Sequence, residues 1–528
     1  MSASITTINA GTQPQPKASL KTWITVMAGL LGAFMAVLNI QITNASLLNI
    51  EGGIGTGVDN GAWISTAYLI GEIIVIPLTD YLSRVFSFRR FLLTNAVLFL
   101  TFSMACAFAG NLQQMIALRA IQGFTGGVLI PMAFTLILTR LSVAQRPIGM
   151  AAFAITATFA PAIGPTIGGF LTENYGWQYI FFINLVPGVA MIATLFVTLE
   201  RQPMNLGLLK EGDWFGIATM AIGLGSLQTV LEEGNKDDWF GSPFIVRMAT
   251  IAAVSLALFI WIELTVKKPA VNLRLLARRN FGLGTMAGML VGFALYGSVY
   301  LLPEYLGQAQ GYNSEQIGEV MAWTGLPQLL IIPFVPMLMG RFDVRYLVIL
   351  GLSVFGGSFL LNIHMSADYA GDQFFIPNIV RAAGQALVLG PMTGIAMIGV
   401  AQFESAGASG IYNMMRNLGG AFGTALLGTL VTKREQFHSN IIGSSVDLYS
   451  AAVRDRIALM TGYFESHGMT DPSAARGQAI VALGNAVKRQ ALIMGYSDAF
   501  AVLGAMLMLA ALFILFTRKG QASGAGAH

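Results

Sequence analysis

Long apolar runs, repeated along almost the whole chain, restrict most strongly what this sequence can fold into. A bilayer core of about 30 Å needs roughly 20 apolar residues in helical conformation. Runs such as 22–50 and 147–172 contain no charged residue, and 62–83 contains only Glu72 and Asp80. Runs of this kind predict fourteen transmembrane helices, at 22–50, 62–83, 91–118, 115–138, 147–172, 174–199, 214–231, 244–265, 281–302, 320–339, 346–365, 374–399, 406–431 and 499–517.

The composition excludes a soluble enzyme. Of the 528 residues, 55% are hydrophobic and only 11% are charged, whereas soluble domains carry about 25% charged residues. The expected fold class is therefore an all-α polytopic membrane protein. The single cysteine, Cys106, lies in an apolar run, which excludes an intramolecular disulfide and a thiolate metal cluster.

Lysine and arginine residues flank the predicted spans unevenly, and short loops rich in these residues stay in the cytoplasm during insertion. If both termini are cytoplasmic, that side holds Lys17, Lys21, Arg84, Arg89, Arg90, Arg140, Arg146, Arg201, Lys210, Lys267, Lys268, Arg274, Arg278, Arg279, Arg341, Arg345, Arg518 and Lys519. The opposite short loops hold only Lys236 and Arg247. The sequence therefore predicts a multi-pass protein of the cytoplasmic (inner) membrane with both termini cytoplasmic. The excess of lysine and arginine over acidic residues reflects membrane topology and contact with anionic lipids, and we expect no nucleic-acid partner.

The spans also organise the chain into segments. We expect a cytoplasmic N-tail at 1–22, a six-helix bundle at 23–200, two additional membrane helices at 201–268, a second six-helix bundle at 269–518 and a cytoplasmic C-tail at 519–528. A hydrophilic loop, 433–495, interrupts the second bundle outside the cytoplasm. Its segments 447–466 and 472–490 show helical spacing of apolar residues and predict two amphipathic helices. These form either solvated cover or a docking surface for another envelope protein.

Ionisable residues within spans cost about 2.5–3.5 kcal/mol each on insertion, so each needs a reason. Glu72 is the only acid well inside a predicted span, about 15 Å from the start of its helix and close to the midplane. A carboxyl group there can carry a proton between two aqueous faces, or it can serve as a fixed charge partner of a nearby arginine. The polar residues expected to contact substrate in a cavity are Asn39, Gln41, Gln122, Asn413 and Arg416.

Two arginines occupy corresponding positions along the chain. Arg119 begins the string RAIQG in the fourth span, and Arg381 begins RAAGQ in the twelfth. Arg119 and Gln122 lie one helical turn apart, so both face the bundle interior. The correspondence indicates two six-helix halves, the arrangement of paired transporter halves.

Three motifs follow one another in spans four to six. RAIQG (119–123) fits R-x-x-Q-G, AIGPTIGGF (162–170) fits G-P-x-x-G-G, and GWQYIFFINLVPG (176–188) is very similar to W-x-x-I-F-x-I-N-x-P-x-G. Small residues such as Gly164 and Gly168 permit close helix contact, while Pro165 bends the helix. Together these motifs resemble the fourteen-helix drug:proton antiporter branch of the major facilitator superfamily, the EmrB/QacA type. The likeness covers nearly the whole chain.

This resemblance implies a major facilitator fold of two six-helix bundles with two extra linker helices. It implies a transporter, not an enzyme: a substrate:H⁺ antiporter that exports amphipathic or lipophilic drugs and toxic organic compounds, driven by the proton gradient without a cofactor. The alternative is a narrow-specificity exporter of an endogenous amphiphile such as a siderophore or fatty acid. The resemblance also implies a periplasmic membrane-fusion adaptor and an outer-membrane channel as partners.

The sequence departs from the family pattern in helix one. The pattern L-D-x-T-x-x-N-x-A-L reads LNIQITNASL at 38–47, so Asn39 replaces the usual acid, and an amide cannot release a proton in the relevant range. Glu72 becomes the expected proton carrier, with Arg119 as its counter-charge in a two-state switch, and Glu304 is the second titrating candidate. The expected gating and antiporter-motif residues are Asp80, Gly164, Pro165, Gly168 and Arg381.

Overall fold

The computed structural model describes residues 18–142, 145–447 and 449–519, and the regular structure in these ranges is helical. Fourteen of its helices correspond to the predicted spans: α1 (Leu20–Ala45), α2 (Trp63–Phe86), α3 (Phe88–Cys106), α4 (Leu112–Arg140), α5 (Arg146–Tyr175), α6 (Tyr179–Thr198), α7 (Trp214–Glu233), α8 (Pro243–Thr265), α9 (Arg279–Gln308), α10 (Glu315–Arg341), α11 (Val344–Leu360), α12 (Phe375–Ala396), α13 (Ser405–Ser445) and α14 (Pro472–Leu515). Ten of them are long and apolar enough to cross a membrane by length and composition alone; α2, α3, α11 and α13 are shorter or less apolar. The predicted all-α fold class is confirmed.

Side chains at the helix starts explain several of these boundaries. Asn111, Asp213 and Asn313 each accept a hydrogen bond from the first turn of α4, α7 and α10, respectively, satisfying a backbone donor that has no partner within the helix. Gly176 follows α5 with a φ of 101°, a conformation that residues with a side chain rarely adopt. The chain therefore turns sharply into α6.

The membrane helices form two halves with separate hydrophobic cores. Helices α1–α6 surround one apolar cluster, and α9–α14 surround the other. The pairs α1–α5 and α2–α4 of the first half repeat as α9–α13 and α10–α12 in the second. Gly71 and Gly123 allow α2 and α4 to touch, because a Cβ atom on either would overlap the backbone of the facing helix.

Helices α7 and α8 lie outside this pseudo-repeat. They pack on each other, and α7 also packs on α2 of the first half and α13 of the second. An apolar cluster that includes Ile73, Met220, Phe259 and Met414 joins these elements. Helix α7 is thus part of the seam between the halves.

The C-terminal end of the described chain lies beside the starts of α9 and α11, on one side of the helices. Arg279 donates to the carbonyl oxygen of Phe516 at 2.8 Å, and Arg345 donates to that of Thr517 at 3.1 Å, which places the start of α9, the start of α11 and the end of α14 together. We call this side the tail side. The opposite side carries the helix Ala451–Ser466, which we call the loop helix, and is named the loop side.

On the loop side, α13 and α14 are longer than predicted. Helix α13 continues to Ser445. The segment 472–490 is helical as predicted, but it forms the first part of α14 and is not a separate helix. The loop helix corresponds to the other predicted segment, 447–466. The charged residues that end the hydropathy signal do not end the helices. Asp498 of α14 accepts hydrogen bonds from Arg434 at 2.5 Å and from His438 at 2.8 Å, both on α13, so the two extensions brace each other.

Candidate functional site

A cavity of about 550 Å³ lies between the two halves, in the loop-side half of the helices. Seven membrane helices line it: α1, α2, α5, α7, α9, α10 and α13. Its wall combines apolar residues, such as Leu69, Ile73, Val299 and Ala421, with polar residues that include Gln41, Glu72, Gln228, Glu232, Tyr296, Tyr300, Glu304 and Asn417. Its volume and mixed lining suit a drug-sized organic molecule.

On the tail side of the cavity the two halves are in contact. Gly410 of α13 packs so closely on α2 that an added Cβ atom would lie 3.3 Å from the carbonyl oxygen of Ile76. Asp80, one turn further along α2, lies beside Gly407 in the first turn of α13 and forms an ion pair with Arg84 at 3.2 Å. An acid at the start of a helix is favourable because the unpaired backbone N–H groups there carry partial positive charge. Asp80 therefore joins α2 to α13 on this side.

Glu72 connects the two halves at the inner end of the cavity. Its side chain is 3% exposed, and its Oε1 accepts a hydrogen bond from Nδ2 of Asn417 at 2.9 Å. Its Oε2 is buried and has no hydrogen-bond partner. Among the neighbouring cations, Arg416 acts on Glu72 more strongly than Arg119 does. Both Asn417 and Arg416 belong to α13, so the hydrogen bond of this α2 acid and its stronger charge interaction cross to the other half.

Arg119 has a different set of partners from the one predicted. It is fully buried, and its Nη1 donates to the amide oxygens of Asn39 at 2.5 Å and Gln122 at 2.8 Å, while its Nε donates to the carbonyl oxygen of Ile64 at 3.3 Å. Its guanidinium group also lies 4.4 Å from the ring centre of Tyr68. The expected direct pairing of Arg119 with Glu72 is therefore absent from this conformation. The two amide oxygens accept from its Nη1 instead, while its buried Nη2 has no hydrogen-bond partner.

Two further acids line the cavity nearer the loop side. Glu304 of α9 is one of the predicted titrating residues, and Gln308, one turn away, donates a hydrogen bond to it. Glu232 of α7 accepts from Nε2 of Gln228 at 2.9 Å and was missed by the sequence analysis. The predicted span ended at Leu231, whereas α7 continues to Glu233 and carries Glu232 into the cavity wall. The sequence from Gln228 onwards contains no helix-breaking residue before Glu233, which is compatible with a continuing helix. The two adjacent charges of Glu232 and Glu233 instead predict the start of a loop.

The other predicted site residues divide into three groups. Gln41 and Pro165 line the cavity. Asn39, Gln122, Asn413 and Arg416 are buried but do not line it in this conformation. Gly164 and Gly168 face α1: a Cβ atom on Gly164 would meet Gln41, and one on Gly168 would meet the backbone of Ile42. The motif in α5 thus sets how close α5 approaches the part of α1 that lines the cavity.

Arg381 lies in α12 at the position that corresponds to Arg119. It is 2% exposed, its guanidinium carbon is 5.6 Å from the ring centre of Phe359, and its Nε and Nη2 have no acceptor. The neighbouring Gln385 instead accepts from Nε2 of Gln328 at 2.6 Å. The two arginines therefore differ in their partners: within the described residues, amide oxygens accept from Arg119 but not from Arg381.

Two ion pairs stabilise the loops of the second half on the tail side. Arg278 holds both carboxylate oxygens of Glu404 at 2.6 and 2.8 Å, and Arg345 binds Asp343 at 2.8 Å. Hydrogen bonds from these arginines lower the pKa of Glu404 and the pKa of Asp343 below their ordinary values. In the described parts of the chain, no group of three or more His, Cys, Asp or Glu residues could hold a metal ion.

Comparison with known proteins agrees with this architecture. A family model described as Major Facilitator Superfamily matches residues 29–431. The chain is 33% identical to the colistin resistance protein EmrB of Acinetobacter baumannii, over 94% of this chain and 97% of that one. It is 30% identical to the fatty acid resistance protein FarB of Neisseria gonorrhoeae, over 98% and 99% of the two chains. The fold is similar to that of the proton:xylose symporter XylE, with a TM-score of 0.59 at 14% identity over 94% of this chain and 95% of that one. The chain thus belongs to the major facilitator superfamily and is a permease of the EmrB multidrug efflux type.

Proposed function

We propose that this protein is a proton-coupled antiporter that exports amphipathic or lipophilic drugs and toxic organic compounds across the cytoplasmic membrane. The observation that carries the proposal is the bond between Glu72 and Asn417, because it places a buried acid of one half against the other half at the inner end of the cavity. Transport by this fold requires the two halves to move relative to one another around a central site. A proton that changes their attraction can therefore drive that movement.

Glu72 is the residue to which we assign proton coupling. In its charged form it is held by the Asn417 amide and by the positive charge of Arg416, both on α13. Protonation removes the attraction to Arg416 and weakens the hydrogen bond, since bonds to an ionised acceptor are about twice as strong as neutral ones. The proton thus weakens the link between α2 and α13. Glu304, which is closer to the loop side, is the second candidate for proton exchange.

The distribution of charge supports an orientation with the tail side in the cytoplasm. The loops on the tail side carry most of the lysine and arginine residues that flank the helices, and such loops remain cytoplasmic. The cavity then lies in the outer half of the membrane, and this conformation is the one that releases substrate. Contacts such as those of Gly410 and Asp80 with the facing helices close the cytoplasmic side.

The extensions of α13 and α14, together with the loop helix, would project from the outer surface. This projection carries exposed apolar side chains that a soluble surface does not require, including Ile441, Leu459, Tyr463, Ile480 and Val481. We assign it to contact with a periplasmic membrane-fusion adaptor, which in turn would reach an outer-membrane channel. Co-purification of such an adaptor with the whole chain, and its loss on replacement of Leu459 and Tyr463 by serine, tests this assignment.

A second candidate function is export of an endogenous amphiphile such as a fatty acid, and the resemblance to a fatty acid resistance protein favours it. A fatty acid is an anion at neutral pH. Three carboxylates, Glu72, Glu232 and Glu304, line the cavity together with one lysine, Lys236, so the cavity charge opposes an anionic substrate. We therefore place drug export first.

The test is proton movement in proteoliposomes. Addition of a lipophilic drug to vesicles that contain the wild-type protein should cause proton movement opposite to drug movement. Glu72→Gln should abolish this coupling while the protein still assembles in the membrane. Glu173→Gln, which removes an exposed acid at the loop-side end of α5, is the matched control and should behave as wild type. Unchanged coupling in Glu72→Gln would refute the role of Glu72, and drug-independent behaviour of the wild type would refute drug:proton antiport.

A further inference from the structure

We propose that the additional helix α7 forms part of the substrate site, and that Glu232 of α7 and Glu304 of α9 bind the positive charge of a lipophilic organic cation. This inference deepens the proposed function, because it names the substrate class and the helix that selects it. In this proposal α7, which belongs to neither six-helix half, contributes a charged residue to substrate binding.

The charges around these two acids carry the argument. Lys236, the lysine in the cavity wall, pairs with Glu233 at 3.6 Å, and Glu233 also accepts a hydrogen bond from Thr66 at 2.8 Å. The positive charge of Lys236 is therefore already paired with Glu233, an acid that does not line the cavity. Glu232 and Glu304 accept hydrogen bonds only from neutral amides, those of Gln228 and Gln308, and form no ion pair within the described residues. Two carboxylates thus lack a cationic partner.

Tyrosine side chains lie next to these acids. Tyr300 is within electrostatic reach of both Glu232 and Glu304, and Tyr296 lines the same wall one turn deeper. Gly428 leaves room beside the hydroxyl group of Tyr300, since an added Cβ atom would lie 3.2 Å from it. Aromatic faces and carboxylates together bind organic cations, because the ring quadrupole and the negative charge both attract the cation while the ring contacts its apolar groups.

Glu72 provides an independent indication of a ligand. It lies deeper in the same cavity, and its Oε2 is buried without a partner. A buried carboxylate oxygen is costly to leave without a hydrogen bond. A cation in the cavity would compensate this oxygen as well as the two acids nearer the mouth. The cavity lining therefore carries an acid at its inner end, Glu72, and two acids nearer its mouth, Glu232 and Glu304. Its lysine, Lys236, is already paired with Glu233.

Calorimetric binding in detergent micelles separates this proposal from a general role in packing. The probes are tetraphenylphosphonium, a permanent lipophilic cation, and triphenylphosphine oxide, a neutral compound of similar shape. Glu232→Gln should raise the Kd for tetraphenylphosphonium roughly tenfold, as expected for loss of one enclosed charge contact, and should leave the Kd for the neutral probe unchanged. Glu232→Asp keeps the charge and should retain most of the affinity.

Asp237→Asn is the matched control. It removes a carboxylate just beyond the loop-side end of α7 that does not line the cavity, and it should bind both probes as the wild type does. Thermal unfolding of each variant verifies that it is folded. Equal weakening of both probes in Glu232→Gln would show that α7 only maintains the shape of the cavity, and unchanged affinity, or no binding of the cation by the wild type, would overturn the proposal directly.

Transport distinguishes failure of this site from failure of the proposed function. If the wild type binds the cation through Glu232 but does not exchange it for protons in proteoliposomes, the cation site stands and antiport is refuted. If proton-coupled export of the cation persists at wild-type affinity in Glu232→Gln, antiport stands and the cation site is refuted.

Discussion

The hydrogen bond between Asn417 and Glu72 should stabilise the conformation described above, and Asn417→Ala tests this. The bond crosses from α13 to α2 and measures 2.9 Å, and its acceptor has no other hydrogen-bond donor on either oxygen. A hydrogen bond to a charged group contributes about 1.5–3 kcal/mol. Its loss should therefore shift the equilibrium away from this conformation by roughly 10- to 100-fold while Glu72 is charged.

Spin labels on the loop side measure this shift. Leu48 in the first half and Leu361 in the second are 69% and 54% exposed, so cysteines placed there accept labels, and the buried Cys106 is first replaced by serine. Asn417→Ala should move the distance distribution towards a shorter, closed loop side. Thr424→Ala, also in the cavity wall on α13, removes a hydroxyl group that does not contact Glu72 and serves as the control.

A double-mutant cycle adds the decisive comparison. In a Glu72→Gln background the acceptor is neutral, and a neutral hydrogen bond contributes only about 0.5–1.5 kcal/mol. The additional effect of Asn417→Ala should then be smaller than in the wild type. An equal effect in both backgrounds, or a population shift below about threefold in the wild-type background, would refute the view that a charged Glu72 holds the halves together through α13.

Three further predictions concern the surroundings of the site. Asn39→Asp places a carboxylate against the buried Arg119, whose Nη1 lies 2.5 Å from the present amide oxygen and whose Nη2 has no partner, and should raise the thermal unfolding midpoint at neutral pH; no rise would contradict a stronger bond from Arg119 to a charged acceptor at position 39. Gly123→Ala should destabilise the protein by roughly 1–3 kcal/mol in thermal unfolding, because the new Cβ atom would overlap the Tyr68 carbonyl group, whereas Gly357→Ala, with open space around it, should be neutral. Arg278→Gln should lower stability by at most about 1 kcal/mol, because the pair is partly exposed. Since the bond lowers the pKa of Glu404, its contribution is fully present above the ordinary glutamate pKa of about 4.3 and is lost as the pH falls through the lower folded-state pKa, so a deficit that does not shrink as the pH is lowered well below about 4.3 would contradict this explanation.

The sequence predicts the fold well because hydropathy and helix length act locally. Each apolar run corresponds to one membrane helix, and the repeated arginines mark the two halves correctly. The errors occur where charged residues lie within continuous helices. The segments that follow 431 and precede 499 are polar yet helical, since they support each other through Asp498 and its partners rather than through lipid. The same cause hid Glu232, one residue beyond the end of its predicted span at Leu231.

The site was harder to predict because its contacts depend on how the two halves pack. Glu72 and Arg119 lie on adjacent helices of one half, which made their pairing a reasonable hypothesis. The sequence alone does not show that Asn417 and Arg416, more than 300 positions away, approach Glu72 from the other half. Nor does it show that the amide oxygens of Asn39 and Gln122 both accept from Nη1 of Arg119.

The replacement of the helix-one acid by Asn39 has a consequence for where a proton can act. An acid at position 39 would lie against Arg119, and its protonation would change contacts within the first half, among α1, α2 and α4. With an amide there, that network contains no carboxylate and keeps the same hydrogen bonds at every pH at which transport operates. Glu72 instead contacts α13, so its protonation changes the attraction between the halves directly. Because alternating access is a movement between the halves, we expect an acid at their seam to couple proton binding to that movement without an intermediate rearrangement inside one bundle.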